Sequence, residues 1–399
     1  MNVLFLTMSH FSDPNVRGIY TDLMRCFRDK GHTVYVVNPR ERGSAEASGL
    51  SEIDGVKILG VRTLKLQKTN VIEKGVGQVL VESQFKAAIR KYLSDIRFDL
   101  ILYTTPPITF PNLIGSLRKA NPGARTYLLL KDIFPQNAVD LGMFSEGSFL
   151  YKYFRRKEQK LYRHSDVIGC MSPANVDYVL KHNPDIDPSK VEVNPNSIAL
   201  VPSMVSQTER EEVLSRYSIP LDKPVLIYGG NLGKPQGIGF LMQCLEANAD
   251  RNDCHFVVVG AGTELPKLKQ WHATRKPTAV SVMNALPKRD YDILVRSCDV
   301  GLIFLDHRFT IPNFPSRLLS YLEYRMPVLV ATDSCSDMGP IAQQGGFGFW
   351  CESNSVDAFN AILEKMLRSD RLTMGEKGFR YLEDHYLVEN TYNTIMRHV

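Results

Sequence analysis

The residues best placed to do chemistry lie in Tyr228–Gly237, which reads Tyr-Gly-Gly-Asn-Leu-Gly-Lys-Pro-Gln-Gly. Glycines at 229, 230, 233 and 237 allow positive φ and let the backbone come close to a ligand. The apolar run Val225-Leu226-Ile227 precedes this stretch and Ile238-Gly239-Phe240-Leu241-Met242 follows it, giving a strand, a glycine-rich turn and a helix start. A helix beginning there presents free N–H groups and the positive end of its dipole, and phosphate is the usual guest. Lys234 would add a point charge and Asn231 an amide donor. The chemistry on offer is capture of a phosphorylated ligand. The spacing matches neither the P-loop nor the dinucleotide fingerprint, and an ordinary βα turn with extra glycines is the competing reading.

Such a turn needs a parallel sheet to carry it. Strands are expected at 3–7, 33–37, 56–59, 99–103, 126–130 and 166–170, with helices at 19–30, 79–93, 111–120 and 149–163. The second half repeats the plan, with strands at 224–228, 255–259, 279–282, 299–304 and 327–331 and a helix at 356–368. Alternating strands and helices imply an α/β chain of two doubly wound parallel sheets, each collecting ligands at the carboxyl ends of its strands. Asn194-Pro195-Asn196-Ser197 and the polar residues after it mark the boundary. The expected domains are 1–197 and 198–373, with a helical, aromatic-rich segment 374–399.

Composition narrows the class. At 399 residues, 44% hydrophobic and 23% charged, the chain is that of a globular protein with two cores. No apolar run reaches membrane-spanning length, and Met1–Thr7 reads as a first strand and not as a signal peptide. Seven scattered cysteines without a Cys-x-x-Cys pair argue for a reducing cytoplasm and against structural zinc or a disulfide framework. Charge is uneven: residues 1–199 hold 27 Lys/Arg against 20 Asp/Glu, the rest 21 against 23. A basic front half suggests an anionic surface or ligand. Nothing favours nucleic acid.

Several segments, in order, resemble the retaining glycosyltransferases of family 4, with the GT-B fold. These are Lys-Asp-Ile-Phe-Pro-Gln-Asn (131–137), Cys-Met-Ser-Pro-Ala-Asn (170–175), Gly-Asn-Leu-Gly-Lys-Pro-Gln-Gly (230–237), Val-Gly-Ala-Gly (259–262), Pro-Ser-Arg-Leu-Leu-Ser-Tyr-Leu (315–322) and Met-Pro-Val-Leu-Val (326–330). The likeness is to the bacterial branch that builds O-antigen and capsular polysaccharides, including fucosaminyl transferases. It implies two Rossmann-like domains facing a central cleft, a nucleotide-sugar held mostly by the second and an acceptor by the first. It also implies that the C-terminal segment returns to the first domain.

Carried over residue by residue, the resemblance makes the turn 230–237 the element that neutralises the donor diphosphate. Gly230 and Gly237 would be its glycines, and Gly262 of the Val-Gly-Ala-Gly segment would also line the donor site. Asn231 and Gln236 stand where the family has arginine and lysine, so both charges are missing; Lys234 replaces one, with help from Arg317. The family's two glutamates, eight apart, fall on Pro312 and Ser320. Glu323, at i+3 from Ser320, either reaches the ribose in the glutamate's stead or is a surface helix residue. Ser316 and Arg317 open the helix whose N–H groups should meet the diphosphate. Asn284 and Leu286 lie where the family binds the base through backbone groups. Gly18 would let the loop 8–18 pass close to the diphosphate. Lys131 replaces a family histidine; a protonated lysine opposes a developing oxocarbenium ion, so it is expected to face a phosphate or acceptor oxygen. Asp132 would touch the donor sugar or the acceptor hydroxyl, or else cap the next segment.

Two basic, aromatic stretches lie in the front half. Tyr151–His164 carries Lys152, Arg155, Arg156, Lys157, Lys160 and Arg163, interleaved with Tyr151, Tyr153, Phe154, Leu161 and Tyr162. Arg62–Lys91 is the second. Both fit an anionic membrane surface, or are solvated helices whose aromatics enter the core. The expectation is a cytoplasmic enzyme, peripheral on the inner face of the cytoplasmic membrane. It would move a hexosyl or N-acetylaminosugar unit, without a metal or other cofactor, from a nucleoside diphosphate, UDP favoured, to a polyprenyl-diphosphate-linked saccharide. Asp132, Lys131 and Lys234 are the residues assigned to catalysis. The alternatives are a nucleotide-sugar epimerase of the same fold, or a degenerate subunit that binds a partner, for which loss of both glutamates is the support.

Overall fold

A computed structural model describes the backbone of residues 1–41, 47–64, 71–201 and 205–399. The chain divides into two compact units, Met1–Ala199 with Leu387–Val399, and Leu200–Tyr386.

In the first unit the elements run β1 (Asn2–Leu6), α1 (Ile19–Asp29), β2 (Thr33–Glu41), β3 (Gly49–Ile53), β4 (Val56–Thr63), α2 (Val71–Tyr92), β5 (Leu100–Thr104) and α3 (Pro111–Ala120). They continue with β6 (Arg125–Leu130), α4 (Gln136–Asp140), α5 (Phe149–His164), β7 (Val167–Cys170), α6 (Pro173–His182) and β8 (Val191–Val193). The sheet order is β3-β4-β2-β1-β5-β6-β7-β8. All pairings are parallel except the β3–β4 hairpin, which closes one edge. Strands such as Leu100–Thr104 are buried throughout, as expected of a sheet covered on both faces. Two clusters sandwich it: one centred on Phe85, Phe110 and Leu161, the other on Phe5, Phe27 and Tyr127.

The second unit runs α7 (Gln207–Arg216), β9 (Val225–Asn231), α8 (Ile238–Ala247), β10 (His255–Ala261), α9 (Leu265–Arg275), β11 (Val280–Asn284), α10 (Lys288–Arg296), β12 (Val300–Phe304) and α11 (Arg317–Glu323). After these come β13 (Val328–Thr332), α12 (Met338–Gln344), β14 (Gly348–Glu352), α13 (Val356–Arg368) and α14 (Arg371–His385). Its sheet is parallel, in the order β11-β10-β9-β12-β13-β14. Strands β3, β8 and β14 were not expected from the sequence: each is short or mixed in polarity and lies at a sheet edge.

The C-terminal segment is two helices with different allegiances. The expected unit 374–399 is corrected accordingly, because residues up to Tyr386 stay with the second unit. A Cβ on Gly375 would lie 1.9 Å from the Arg325 carbonyl oxygen, and one on Gly378 2.8 Å from Leu322 Cδ2. These two small residues let α14 lie against α11. The last helix, α15 (Val388–Met396), packs with the first unit. Val388 N donates to Ile198 O at 3.0 Å, and Tyr392 OH lies 2.8 Å from His32 Nε2.

Candidate functional site

In the second sheet β9 pairs with β10 on one side and β12 on the other. The order reverses there, and its carboxyl end is the crevice where open α/β sheets take ligands. The glycine-rich turn occupies that end. Gly230 has φ +120° and Gly237 φ +58°, conformations that glycine adopts without cost. A Cβ on Gly237 would lie 2.7 Å from the Leu305 carbonyl oxygen.

Neighbouring turns are laced to this one. Leu232 N donates to Ala261 O, and Glu264 N to Leu232 O, both at 2.9 Å, while Asp306 N donates to Pro235 O at 3.1 Å. A Cβ on Gly262 would come within 2.3 Å of the Leu232 carbonyl. Gly262 is therefore required by the close passage of two backbones.

Arg317, the first residue of α11, reaches back over the turn. Its Nη2 donates to Gln236 Oε1 at 2.8 Å, and its guanidinium carbon lies 4.2 Å from the centre of the Tyr228 ring. Nη1 is buried and, among the described residues, has no hydrogen-bond partner. Tyr228 OH donates to Asn231 O at 2.8 Å, so ring and strand end are held together. Lys234 and Asn231 are exposed, and Gln236 is half-buried under Arg317. Asn284 and Leu286 follow β11 at the same edge, the first exposed and the second half-buried. Ser316 is exposed before α11, and Ser320 is half-buried one turn on.

The surface reading of Glu323 is corrected. It is 6% exposed, and its Oε1 accepts from Val201 N at 3.2 Å. This carboxylate anchors the backbone that enters the second unit.

In the first unit, the segment after β6 carries Lys131 and Asp132, both half-buried. Thr105 organises it: Thr105 Oγ1 accepts from Lys131 N at 3.0 Å and Asp132 N at 3.2 Å, and donates to Asp132 O at 3.1 Å. Lys131 Nζ donates to Asn194 O at 3.1 Å. Burial pushes the Lys131 ammonium down to about 7, so near neutral pH about half of the amine is uncharged. The expected opposition between this residue and a developing cation is correspondingly weaker. Burial also pushes the Asp132 carboxyl up to about 6, offset by hydrogen bonds from Asn137. Asn137 Nδ2 lies 2.8 and 2.9 Å from the two oxygens, so Asp132 does tie down the next segment, α4.

Gly18 precedes α1 with φ 174°, extended backbone that any residue adopts. Thr105 was not singled out in the sequence, although a hydroxyl just beyond a buried strand was a signal; Tyr228 was noted only as the first residue of the glycine-rich stretch, and Asn194 only as part of the domain boundary.

In α5, Phe154, Leu161 and Tyr162 enter the core. Glu158 is buried between Tyr162 OH and the Arg155 guanidinium, at 2.8 and 2.5 Å. Lys152, Arg156, Lys160 and Arg163 stay exposed. The exposed apolar residues stand just before and at the start of this helix: Met143 (68%), Phe149 (83%) and Leu150 (46%). In the other basic stretch, residues 65–70 and the side chains of 71–79 lie outside the described residues. Among the described residues no group of three or more His, Cys, Asp or Glu could hold a metal ion, and no helix is long and apolar enough to cross a membrane.

Residues 19–201 match the Glycosyltransferase Family 4 sequence family and residues 209–380 the Glycosyl transferases group 1 family. The chain belongs to the family 4 glycosyltransferases. Among its relatives is a probable glycosyltransferase, WbjE, of Pseudomonas aeruginosa, 22% identical over 330 residues that cover 80% of this chain and 78% of that one. The fold of this glycosyltransferase is GT-B. Anabaena HepE, solved in complex with UDP-glucose, superposes with a TM-score of 0.71 at 13% identity, covering 100% of this chain and 98% of that one. WaaG, a glycosyltransferase involved in lipopolysaccharide biosynthesis, does so at 0.67 and 13%, covering 98% of each.

Proposed function

We propose that this glycosyltransferase is a retaining, metal-independent enzyme. It moves a hexosyl or N-acetylaminosugar unit from a nucleoside-diphosphate donor, UDP favoured, to a polyprenyl-diphosphate-linked saccharide in bacterial surface polysaccharide synthesis. The observation that carries the reading is the Arg317 guanidinium, held over the glycine turn with Nη1 buried and unpaired among the described residues. A buried charged donor without a partner is costly, and a diphosphate oxygen is the partner of matching charge. UDP is favoured because HepE was solved with UDP-glucose, and surface polysaccharide because of what WaaG is described as doing.

In the proposed reaction the bond between the sugar C1 and the diphosphate oxygen breaks as the acceptor oxygen bonds to C1 on the same face. The acceptor proton passes to the departing phosphate. Arg317 and Lys234 stabilise the leaving group as its charge grows. In the first unit, Asp132 is assigned to the donor sugar or the acceptor hydroxyl, and Lys131 to a phosphate or acceptor oxygen. The first unit rests on an anionic membrane through Met143, Phe149 and Leu150, with Lys152 and Arg156 beside them. Calorimetry with UDP, GDP and dTDP tests the donor site. Selective binding of one nucleotide that weakens in Arg317→Ala supports the reading; no binding of any of the three moves a degenerate, partner-binding subunit to first place.

A further inference from the structure

A continuous hydrogen-bond chain joins the residues after α15 to Lys131, entirely within the first unit. His398 Nε2 lies 3.0 Å from Glu192 Oε1, and Arg397 Nη2 lies 3.9 Å from Glu192 Oε2. Tyr127 OH donates to the same Glu192 Oε1 at 2.7 Å and accepts from Asn194 Nδ2 at 2.8 Å. The main-chain carbonyl of Asn194 accepts from Lys131 Nζ at 3.1 Å.

The sequence makes room for this chain. A Cβ on Gly169 of β7 would lie 2.6 Å from Tyr127 OH and 2.8 Å from Asn194 Cβ. Tyr127 and Asn194 are each 1% exposed, and Asn194 Oδ1 has no partner among the described residues. Among the described residues, the side-chain hold on Asn194 is therefore its bond to Tyr127. That hydroxyl is fixed in turn by a carboxylate, a charge-assisted bond stronger than a neutral one. A lysine on a flexible four-carbon stem loses considerable rotamer freedom when held in one place. A rigid acceptor, set from behind by a buried network, is a means of holding it.

We propose that His398, Glu192, Tyr127 and Asn194 are positioning residues for Lys131, so that the segment carrying α15 governs where this amine stands. The idea rests on Lys131 being a site residue; its test does not. The titratable groups around the chain are Cys170 beside Lys131, with Glu192, Arg397 and His398 at the far end.

Competitive acetylation with acetic anhydride across a pH series, read by mass spectrometry, reports the protonation midpoint of Lys131 in the full chain. Lys234, in the other unit, is the internal reference. In Tyr127→Phe and His398→Ala the released lysine should swing toward water. Its midpoint should rise by about one unit, roughly a fivefold drop in labelling rate at neutral pH, with Lys234 unmoved. His398→Gln, which keeps a donor to Glu192, should restore the wild-type midpoint. His398 is at the half-exposed end, so its variants remain informative if Tyr127→Phe fails to fold. A Lys131 midpoint that stays or falls in folded variants overturns the proposal. If the midpoint rises while UDP release from UDP-glucose is unchanged, the positioning chain stands and the place of Lys131 in the reaction falls.

Discussion

The guanidinium of Arg317 lies over the face of Tyr228, 4.2 Å from the ring centre. The ring and Gln236 aim a charge that a bare lysine at the turn could only supply loosely. Charge-assisted hydrogen bonds are worth about 1.5–3 kcal/mol, so Arg317→Ala should weaken nucleoside diphosphate binding roughly 10- to 100-fold. Lys234→Ala removes an exposed, mobile point charge and should cost less, about 3- to 5-fold. Calorimetric titration with UDP checks both; equal affinities for wild type and Arg317→Ala would remove the assignment.

Glu323 gives the opposite expectation. Its carboxylate is buried and receives the Val201 amide, so Glu323→Ala should destabilise the second unit by about 1–3 kcal/mol. Glu323→Gln keeps an oxygen acceptor and should cost less. Nucleotide affinity should stay within about twofold of wild type in both, since the contact is structural. A tenfold loss of UDP affinity in Glu323→Gln at unchanged melting temperature would return this residue to the ribose.

How far the sequence reveals these roles depends on the residue. The glycine turn was legible because strand, glycines and helix start are contiguous, although the close passage of the Leu305 carbonyl that also requires Gly237 was not. Arg317 was visible only as a residue opening a helix, because its partners Tyr228 and Gln236 are some eighty to ninety positions away and meet it through sheet order. For Glu323 the sequence left a ribose contact and a surface position open and showed no sign of its bond to Val201 N, for the same reason: helical spacing says which residues share a face, not what covers that face. In α5 the periodic apolar positions did enter the core. Phe149, before the amphipathic pattern begins, was overlooked because it belongs to no periodicity. The split of the C-terminal segment between the units turns on Gly375 and Gly378, two ordinary helix glycines until α11 is placed against them.

Stability should depend on pH through Lys131 and Asp132. The folded Lys131 releases its proton near pH 7, against an ordinary value of 10.5. Between these pH values the unfolded chain binds more protons, so stability rises with pH. The folded Asp132 keeps its proton up to about pH 6, against an ordinary 3.8. There the folded chain binds more protons, and stability falls as pH rises from 3.8 to 6. Urea midpoints taken from pH 4 to pH 9 should therefore show a weaker alkaline rise in Lys131→Met than in wild type. Asp132→Asn should flatten the acid-side fall. Parallel curves for wild type and both variants would mean that neither group is desolvated in the folded protein.

The membrane proposal separates residues that the sequence grouped together. Phe149 is 83% exposed and Met143 68%, whereas Phe154 and Tyr162 are core. Full transfer of a large apolar side chain out of water is worth about 1.5–3 kcal/mol. Phe149→Ser with Met143→Ser should therefore cut binding to vesicles containing phosphatidylglycerol at least tenfold, with little change in melting temperature. Lys152→Glu with Arg156→Glu should also weaken binding, by about 1 kcal/mol per lysine or arginine lost, and this loss should shrink as salt rises. Phe154→Ala should do the reverse, lowering stability by about 3–5 kcal/mol while the surviving folded fraction binds vesicles normally. If the serine variants sediment with anionic vesicles as wild type does, the apolar residues around the start of α5 are not the anchor. Charge alone, or another face, would then have to carry the proposed membrane contact.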